Sequence, residues 1–119
     1  QSEHSYLFAI INKDTNAHIG NIKLGPINPN HQYADISYFI GDRDSWGQGY
    51  ATEAIKTITD FGLTRLKLEV IQAGVYSGNV GSTKALLKSG YEEQGRVKNK
   101  FNTVQGTRED HIWYVINRA

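Results

Sequence analysis

Residues 46–54, WGQGYATEA, place two glycines one residue apart, directly before a segment with the pattern of a helix. The first N–H groups of a helix have no partner inside the helix, and they carry partial positive charge. Glycine has no side chain, so an anionic group can come close to those N–H groups. We therefore interpret this stretch as a helix start that holds a phosphate, and the structural alternative is a simple tight turn.

Two well-known phosphate-binding loops do not match this stretch. A P-loop needs a lysine directly after its last glycine, whereas Tyr50 follows Gly49 here. A dinucleotide-binding loop has glycine or alanine three residues after its second glycine, and that position is Thr52 here. The glycines therefore indicate a different anion site.

The periodicity on both sides of the loop predicts an α+β domain with the element order βββαβαββ. The first three strands are expected to be antiparallel because their loops are too short for a crossover. Asn79 suits a helix N-cap and Gly90 a C-terminal cap, while Leu86 and Leu87 are expected to point inward. Gly62 lies where helix and sheet are expected to pack closely. The predicted strands are 6–12, 18–27, 33–41, 66–76, 91–101 and 108–117, and the helices are 51–61 and 80–89.

Length and composition limit the classes of function. A chain of 119 residues predicts one domain over 1–119. The net charge of +1 without a basic run gives no reason to expect nucleic-acid or membrane-surface binding. There is no cysteine, His4, His18 and His31 have no metal-ligand spacing, and no apolar run approaches the roughly 20 residues of a membrane span. We expect a cytoplasmic protein without a metal.

Two motifs at the right separation carry a resemblance to a known family. The first is the stretch 46–54, and the second is N-x-x-S followed by G-Y, formed by Asn79, Ser82, Gly90 and Tyr91. With these motifs the chain resembles the GNAT superfamily of N-acetyltransferases, most closely the branch that includes the ribosomal-protein alanine acetyltransferases. The resemblance runs from about residue 6 to 116, and ADISYFIG (34–41) is similar to the family's AEIGY strand. It implies the GNAT fold, a mixed, mostly antiparallel sheet flanked by helices.

The resemblance implies a binding site for acetyl-CoA as co-substrate. The pantetheine arm would lie along the backbone of Tyr38, Phe39 and Ile40, with Asn79 and Ser82 on its other side. The pyrophosphate would sit on the amides of the loop and helix start, namely Trp46, Gly47, Gln48, Gly49, Tyr50, Ala51 and Thr52.

The resemblance also implies catalytic roles. Ser82 would protonate the departing thiolate, because the tyrosine that serves elsewhere in the superfamily is Leu86 here. A base must take a proton from the amine, and Asp35 is the first candidate and Glu69 the second, with an exposed strand carboxylate as the alternative for each. A backbone N–H near Phe39 or Ile40 would stabilise the oxyanion.

Features outside these motifs bear on the acceptor side. His111, with Trp113 and Tyr114 beyond it, would line the acceptor pocket, with a structural histidine as the alternative. Asp44 stands where the superfamily often has Gln or Arg, so we expect it to point away while Arg43 compensates. The family's N-terminal strand and two helices have no counterpart here. We expect that this part was removed or that a second chain completes the site.

The resulting expectation is an acetyl-CoA-dependent N-acetyltransferase acting on a primary amine, either a protein N-terminus or an amino sugar. The alternative from another class is a CoA-binding module without catalytic activity, and a nucleotide-binding regulatory domain ranks last. A homodimer is a possible assembly, since the final strands of this family often pair between subunits.

Overall fold

The computed structural model describes residues 4–41 and 46–118, which form one six-stranded sheet with two α-helices. The predicted element order βββαβαββ and the α+β class are confirmed. A π-helical turn, Phe61–Arg65, extends the first helix. The elements are β1 Tyr6–Asn12, β2 Ala17–Asn28, β3 Tyr33–Ile40, α1 Tyr50–Asp60, β4 Val70–Tyr76, α2 Val80–Lys88, β5 Glu92–Asn102 and β6 Arg108–Asn117.

The sheet has the strand order β1-β2-β3-β4-β6-β5. Every neighbouring pair is antiparallel except β3 with β4, which is parallel. That parallel pairing is short, because it covers Tyr33 to Asp35 of β3 and Val70 to Gln72 of β4. The C-terminal ends of the two central strands are therefore free to border a cleft.

The hydrophobic core lies between one face of the sheet and the two helices. Leu24 of β2 is opposite Ile36 of β3, and Ala34 of β3 is beside Ile71 of β4, so these side chains share one face. Helix α1 adds Ile55, which is fully buried. Burying an aliphatic side chain of this size contributes about 1.5–3 kcal/mol, so this face is the main source of stability. The helices therefore cover the face that carries the core.

The π-helical turn after α1 approaches the sheet closely at Gly62, as the position of this glycine in the sequence predicts. A Cβ atom at this glycine would lie 2.9 Å from Ile71 Cδ1 and 3.1 Å from Leu24 Cδ2. Gly62 therefore holds the helix end against the sheet, and a larger residue there would push into the core.

The structure corrects two details of the sequence prediction. The strand predicted for 66–76 begins only at Val70. Leu68 packs into the core at 2% exposure, its N–H donates to the Gly62 carbonyl, and Lys67 has a left-handed φ of 59°. The leucines at 66 and 68 therefore close the helix rather than start a strand. In α2, Leu86 is buried as expected, but Leu87 is 51% exposed because only a narrow stripe of this helix faces the core.

Both predicted caps of α2 are present. The Asn79 side chain accepts a hydrogen bond from the Ser82 N–H at 3.0 Å. At the other end, Gly90 has φ 98°, its N–H donates to the Leu87 carbonyl, and the Tyr91 N–H donates to the Leu86 carbonyl. This pair of bonds is a Schellman motif, and it turns the chain sharply into β5.

Tyr91 gives the fold a specific sensitivity to alkaline pH. It is 2% exposed and its hydroxyl pairs with that of Thr59 at 2.7 Å, and burial raises the Tyr91 pKa from 10.0 to about 12 although the bond to Thr59 acts the other way. A raised pKa stabilises the fold fully below the unfolded value, so this stability is lost as pH rises from 10 towards 12. The loss corresponds to about 3 kcal/mol.

We therefore expect the free energy of unfolding in urea to fall more steeply above pH 10 in the wild type than in Tyr91→Phe. The variant loses the bond to Thr59 at every pH, which shifts its free energy of unfolding by a constant amount. The test is therefore the difference in how steeply the two free energies fall with pH. Parallel curves for the two proteins through the alkaline range would contradict this prediction.

Within residues 4–41 and 46–118, neither helix is both long enough and apolar enough to cross a membrane.

Candidate active site

A cleft of about 740 Å³ opens at the C-terminal end of β3, between the glycine loop and the start of α2. This volume is within the range of small-molecule sites. The cleft brings together residues of both sequence motifs, which are about 30 positions apart in the chain. Its lining is Tyr38, Phe39, Ile40, Trp46, Gly47, Gly49, Tyr50, Ala51, Thr52, Gly78, Asn79, Val80, Gly81, Ser82, Lys84, Ala85 and Lys88.

The glycine loop leaves the start of α1 open to the cleft. Gly47 and Gly49 have φ of 76° and 84°, a backbone conformation that residues other than glycine rarely adopt. A Cβ atom on either glycine would meet no described atom within 4 Å, and no described side chain caps the helix. The first helical bond runs from Glu53 to Gly49, so the amides of Tyr50 to Thr52 have no partner in the helix. The loop thus leaves the first amides of α1 accessible, which is the arrangement that an anion site requires.

Two neighbouring residues complete the description of the loop. Trp46 donates its Nε1–H to the carbonyl of Ile40 at 2.8 Å, which ties the loop to the end of β3. Gln48 is exposed and does not belong to the described lining of the cleft. The expectations for Arg43 and Asp44 fall on 42–45, outside the described residues.

The strand β3 presents main-chain groups to the cleft. The Gly41 N–H donates to the Ile19 carbonyl at 2.9 Å, so the main-chain groups of Gly41 point to β2. Alternate residues of an antiparallel strand bond to the same neighbour. Phe39 therefore bonds to β2, whereas the main chains of Tyr38 and Ile40 point to the opposite edge.

The opposite edge of β3 is the edge on the side of β4, and β4 stops pairing with β3 before this point. The β3–β4 pairing extends only to Asp35 and Gln72 in the described chain, and the Ile40 carbonyl is occupied by Trp46. Among the described residues, the main-chain groups of this edge that remain for a ligand are the N–H and carbonyl of Tyr38 and the N–H of Ile40. Phe39 lines the cleft with its side chain, which is 68% exposed.

Asn79 and Ser82 form the wall across from β3, with different roles. The Asn79 amide oxygen is engaged as the helix cap. Ser82 is 8% exposed, and its Oγ lies 2.8 Å from the hydroxyl of Tyr38 across the cleft. Leu86, one turn further along, is 1% exposed and fills the core. Ser82 and Tyr38 are therefore the hydroxyl groups that this end of the cleft presents.

Lys84 and Lys88 also line the cleft, and the sequence analysis missed them. They lie four residues apart on α2, so they share one face of the helix. Val80, Lys84 and Lys88 are spaced four residues apart in the sequence, and this spacing could have predicted that the two lysines lie on the helix face of Val80. These two cations supply positive charge beside the open helix start.

The two candidate bases lie in different places. Asp35 is half-buried at the point where β3 and β4 stop pairing, and its Oδ1 accepts a hydrogen bond from Gln72 Nε2 at 2.8 Å. Glu69 precedes β4 and forms an ion pair with Arg118. Since a strand rises roughly 3.3 Å per residue, Glu69 is roughly 23 Å along the chain from Tyr76 at the cleft end. Neither carboxylate belongs to the described lining of the cleft, and Asp35, three residues before Tyr38 on β3, lies nearer to it along the chain than Glu69 does.

The residues expected on the acceptor side lie on both faces of β6. Tyr114 is 3% exposed in the core, whereas His111 and Trp113 are half-buried on the opposite face, with ring centroids 4.6 Å apart. Phe101 contacts His111 edge-on. Burial and the neighbouring Lys100 lower the pKa of His111. His111 and Trp113 thus form an aromatic face, and Tyr114 belongs to the core.

Comparison with known proteins identifies the family. Residues 1–92 match the Acetyltransferase (GNAT) domain family. The chain is 34% identical over 112 residues to the probable N-acetyltransferase YjcK of Bacillus subtilis (strain 168), a match that covers 93% of this chain and 61% of YjcK. The chain spans 51% to 64% of the length of three Bacillus relatives.

Solved structures show the same fold. The dodecameric spermidine N-acetyltransferase from Vibrio cholerae superposes with a TM-score of 0.84 at 24% identity, over 96% of this chain and 65% of that chain. The ribosomal-protein-S5-alanine acetyltransferase from Vibrio fischeri gives a TM-score of 0.83 at 23% identity, over 96% and 62%. The GNAT fold expected from the motifs is therefore confirmed, and this chain belongs to the GNAT acetyltransferase family.

Proposed function

We propose that this protein is an acetyl-CoA-dependent N-acetyltransferase that moves an acetyl group to a primary amine. The observation that carries the proposal is the cleft in which an open helix start faces an unpaired strand edge. The helix start suits an anion, and the strand edge suits an extended chain with amide groups. Acetyl-CoA has both parts, with a pyrophosphate joined to a pantetheine arm.

Each part of acetyl-CoA has a matching wall. The pyrophosphate would accept hydrogen bonds from the amides that follow Gly49, where charge-assisted bonds are strongest. The pantetheine amides would pair with the N–H and carbonyl of Tyr38 as an added strand does. Lys84 and Lys88 would attract the phosphates from the side of α2. Within the described residues, no group of three His, Cys, Asp or Glu side chains could hold a metal ion.

The transfer needs a base, an oxyanion donor and a proton for the leaving sulfur. Asp35 is our choice of base, held by Gln72 and acting directly or through a water molecule. The Ile40 N–H is the free donor at the strand edge for the oxyanion. Ser82 would supply the proton to the thiolate. Glu69 remains the second candidate for the base and is ranked lower because of its ion pair with Arg118.

The acceptor class is open between a protein N-terminal amine and an amino sugar. The spermidine N-acetyltransferase among the similar structures adds an aliphatic polyamine to the compounds worth testing. The aromatic face of His111 and Trp113 would give such an acceptor an apolar surface to lie on. A homodimer would be formed through β5, which is the last strand of the sheet order.

The function is tested by measuring thiol release from acetyl-CoA with a panel of peptides, amino sugars and polyamines. We expect release that depends on the amine and saturates with at least one class. The contrary result, acetyl-CoA binding without transfer to any amine, would favour the alternative of a CoA-binding module. That alternative is supported by buried Leu86, because the position lacks the tyrosine that protonates the thiolate elsewhere in the superfamily.

The lysines of α2 give a further expected result. In the double variant Lys84→Gln/Lys88→Gln, acetyl-CoA affinity should fall about 5- to 10-fold, since an exposed ion pair between a lysine and a phosphate contributes up to about 1 kcal/mol. The affinity of the variant should also depend less on salt, because screening acts on exposed charges. Titration calorimetry at two salt concentrations measures both effects. The control is Lys56→Gln on α1, an exposed lysine outside the cleft lining; equal losses in the two proteins would contradict the assignment.

A further inference from the structure

We infer that Tyr38 and Ser82 act as one proton-donating unit for the leaving sulfur, an inference that rests on the proposed acetyl transfer. In this unit Ser82 Oγ–H donates to sulfur, and the Tyr38 hydroxyl donates to Ser82 Oγ. The observation behind it is the 2.8 Å contact between the two oxygens, made by residues 44 positions apart.

The positions of the two residues support this role. Both line the cleft, Tyr38 from the strand edge and Ser82 from the first turn of α2. Ser82 is 8% exposed and Tyr38 is half-buried, so few water molecules compete for their hydroxyl groups. The pair thus crosses the gap where the thioester end of a pantetheine arm along β3 would lie.

The chemistry of the two hydroxyl groups sets the direction of the bond. A phenol is the stronger acid of the two and the weaker acceptor, so Tyr38 is the donor and Ser82 the acceptor. An aliphatic hydroxyl is a poor acid by itself, whereas phenols as a class ionise within about two pH units of a thiol. A phenol behind the serine therefore makes the serine proton easier to give up.

The step balances in atoms and electrons. The amine nitrogen forms a bond to the acetyl carbon, the bond between that carbon and sulfur breaks, and the electron pair of the broken bond goes to sulfur. The Ser82 proton moves to sulfur, the Tyr38 proton moves to Ser82 Oγ, and water returns a proton to Tyr38. The proton that the amine loses goes to the base and then to solvent, so the overall reaction releases CoA as the protonated thiol. In this account Ser82 is catalytic, and Tyr38 is a positioning residue that acts through it.

The test titrates the thiol of bound CoA through the ultraviolet absorbance of its thiolate, in wild type, Tyr38→Phe and Ser82→Ala. A hydroxyl that donates to the thiolate lowers the pKa of the bound thiol, so both variants should raise it by about one unit relative to wild type. Tyr33→Phe removes a phenol at the other end of β3 and should give the wild-type value. Affinity for CoA, measured by calorimetry, shows that each variant is folded and is expected to change by less than about threefold.

The possible results separate the inference from the proposed function. A wild-type protein that does not bind CoA contradicts the proposed function. If CoA binds with the same thiol pKa in wild type and both variants, the inference of a proton-donating unit is wrong. If the thiol pKa rises in Ser82→Ala but not in Tyr38→Phe, Tyr38 does not act through Ser82. For the acetyl transfer itself, each variant should lower kcat about tenfold and the double variant should be close to either alone, because residues that act as a unit are not additive. Losses that multiply in the double variant would contradict a single unit.

Discussion

Gly49→Val is expected to weaken acetyl-CoA binding by about 100-fold or more, because the new side chain occupies the space over the start of α1. A Cβ atom at Gly49 meets no described atom within 4 Å, so the side chain stands where the pyrophosphate would bind. Hydrogen bonds to a charged group are worth about 1.5–3 kcal/mol each, and losing two of them gives an effect of this size. Calorimetry with acetyl-CoA measures the loss.

A matched control separates this effect from backbone strain. Gly106, in the turn between β5 and β6, has φ 86° against 84° at Gly49, and a Cβ atom there also meets no described atom within 4 Å. Both valine variants should lose about 1–3 kcal/mol of stability from the positive φ. Only Gly49→Val should lose acetyl-CoA binding. Similar affinities in the two variants would mean that the loop does not hold the pyrophosphate.

Asp35→Asn is expected to lower kcat/KM about 100-fold with the best amine of the panel, which is the usual effect of losing a general base. The asparagine carbonyl can still accept the hydrogen bond from Gln72 Nε2. The variant therefore keeps the local structure and removes the basic carboxylate. Acetyl-CoA affinity should stay unchanged, so that the loss appears only in turnover.

The corresponding variant of the second candidate discriminates between the two bases. Glu69→Gln breaks the ion pair with Arg118, and the exposed position limits the effect to about twofold. Steady-state kinetics of both variants with the same amine provide the comparison. A large loss in Glu69→Gln with near wild-type turnover in Asp35→Asn would reverse the assignment.

The fold could be predicted in detail because its signals are local. The change from strand to helix period after Gly49, the cap at Asn79 and the turn at Gly90 each depend on a few neighbouring residues. The start of β4 could not be found this way. Leu66, Leu68 and Val70 alternate as a strand would, and only the packing of Leu68 into the core shows that the chain is still closing the helix.

The candidate site was predictable where a motif marks it and not where side chains meet across the fold. The open helix start follows from the spacing of Gly47 and Gly49. The contact between Tyr38 and Ser82 depends on how α2 packs beside β3, which the sequence does not state. Two carboxylates on strands look alike in the sequence, and only the pairing partners, Gln72 for Asp35 and Arg118 for Glu69, distinguish them.

The central claim is that the cleft is shaped for acetyl-CoA, and titration calorimetry of the wild-type protein tests it most directly. Acetyl-CoA should bind with a measurable heat and one site per chain, and ATP and NAD should bind at least about tenfold more weakly because neither has a pantetheine arm to pair with β3. The absence of heat with acetyl-CoA, or equal affinity for all three compounds, would contradict the account.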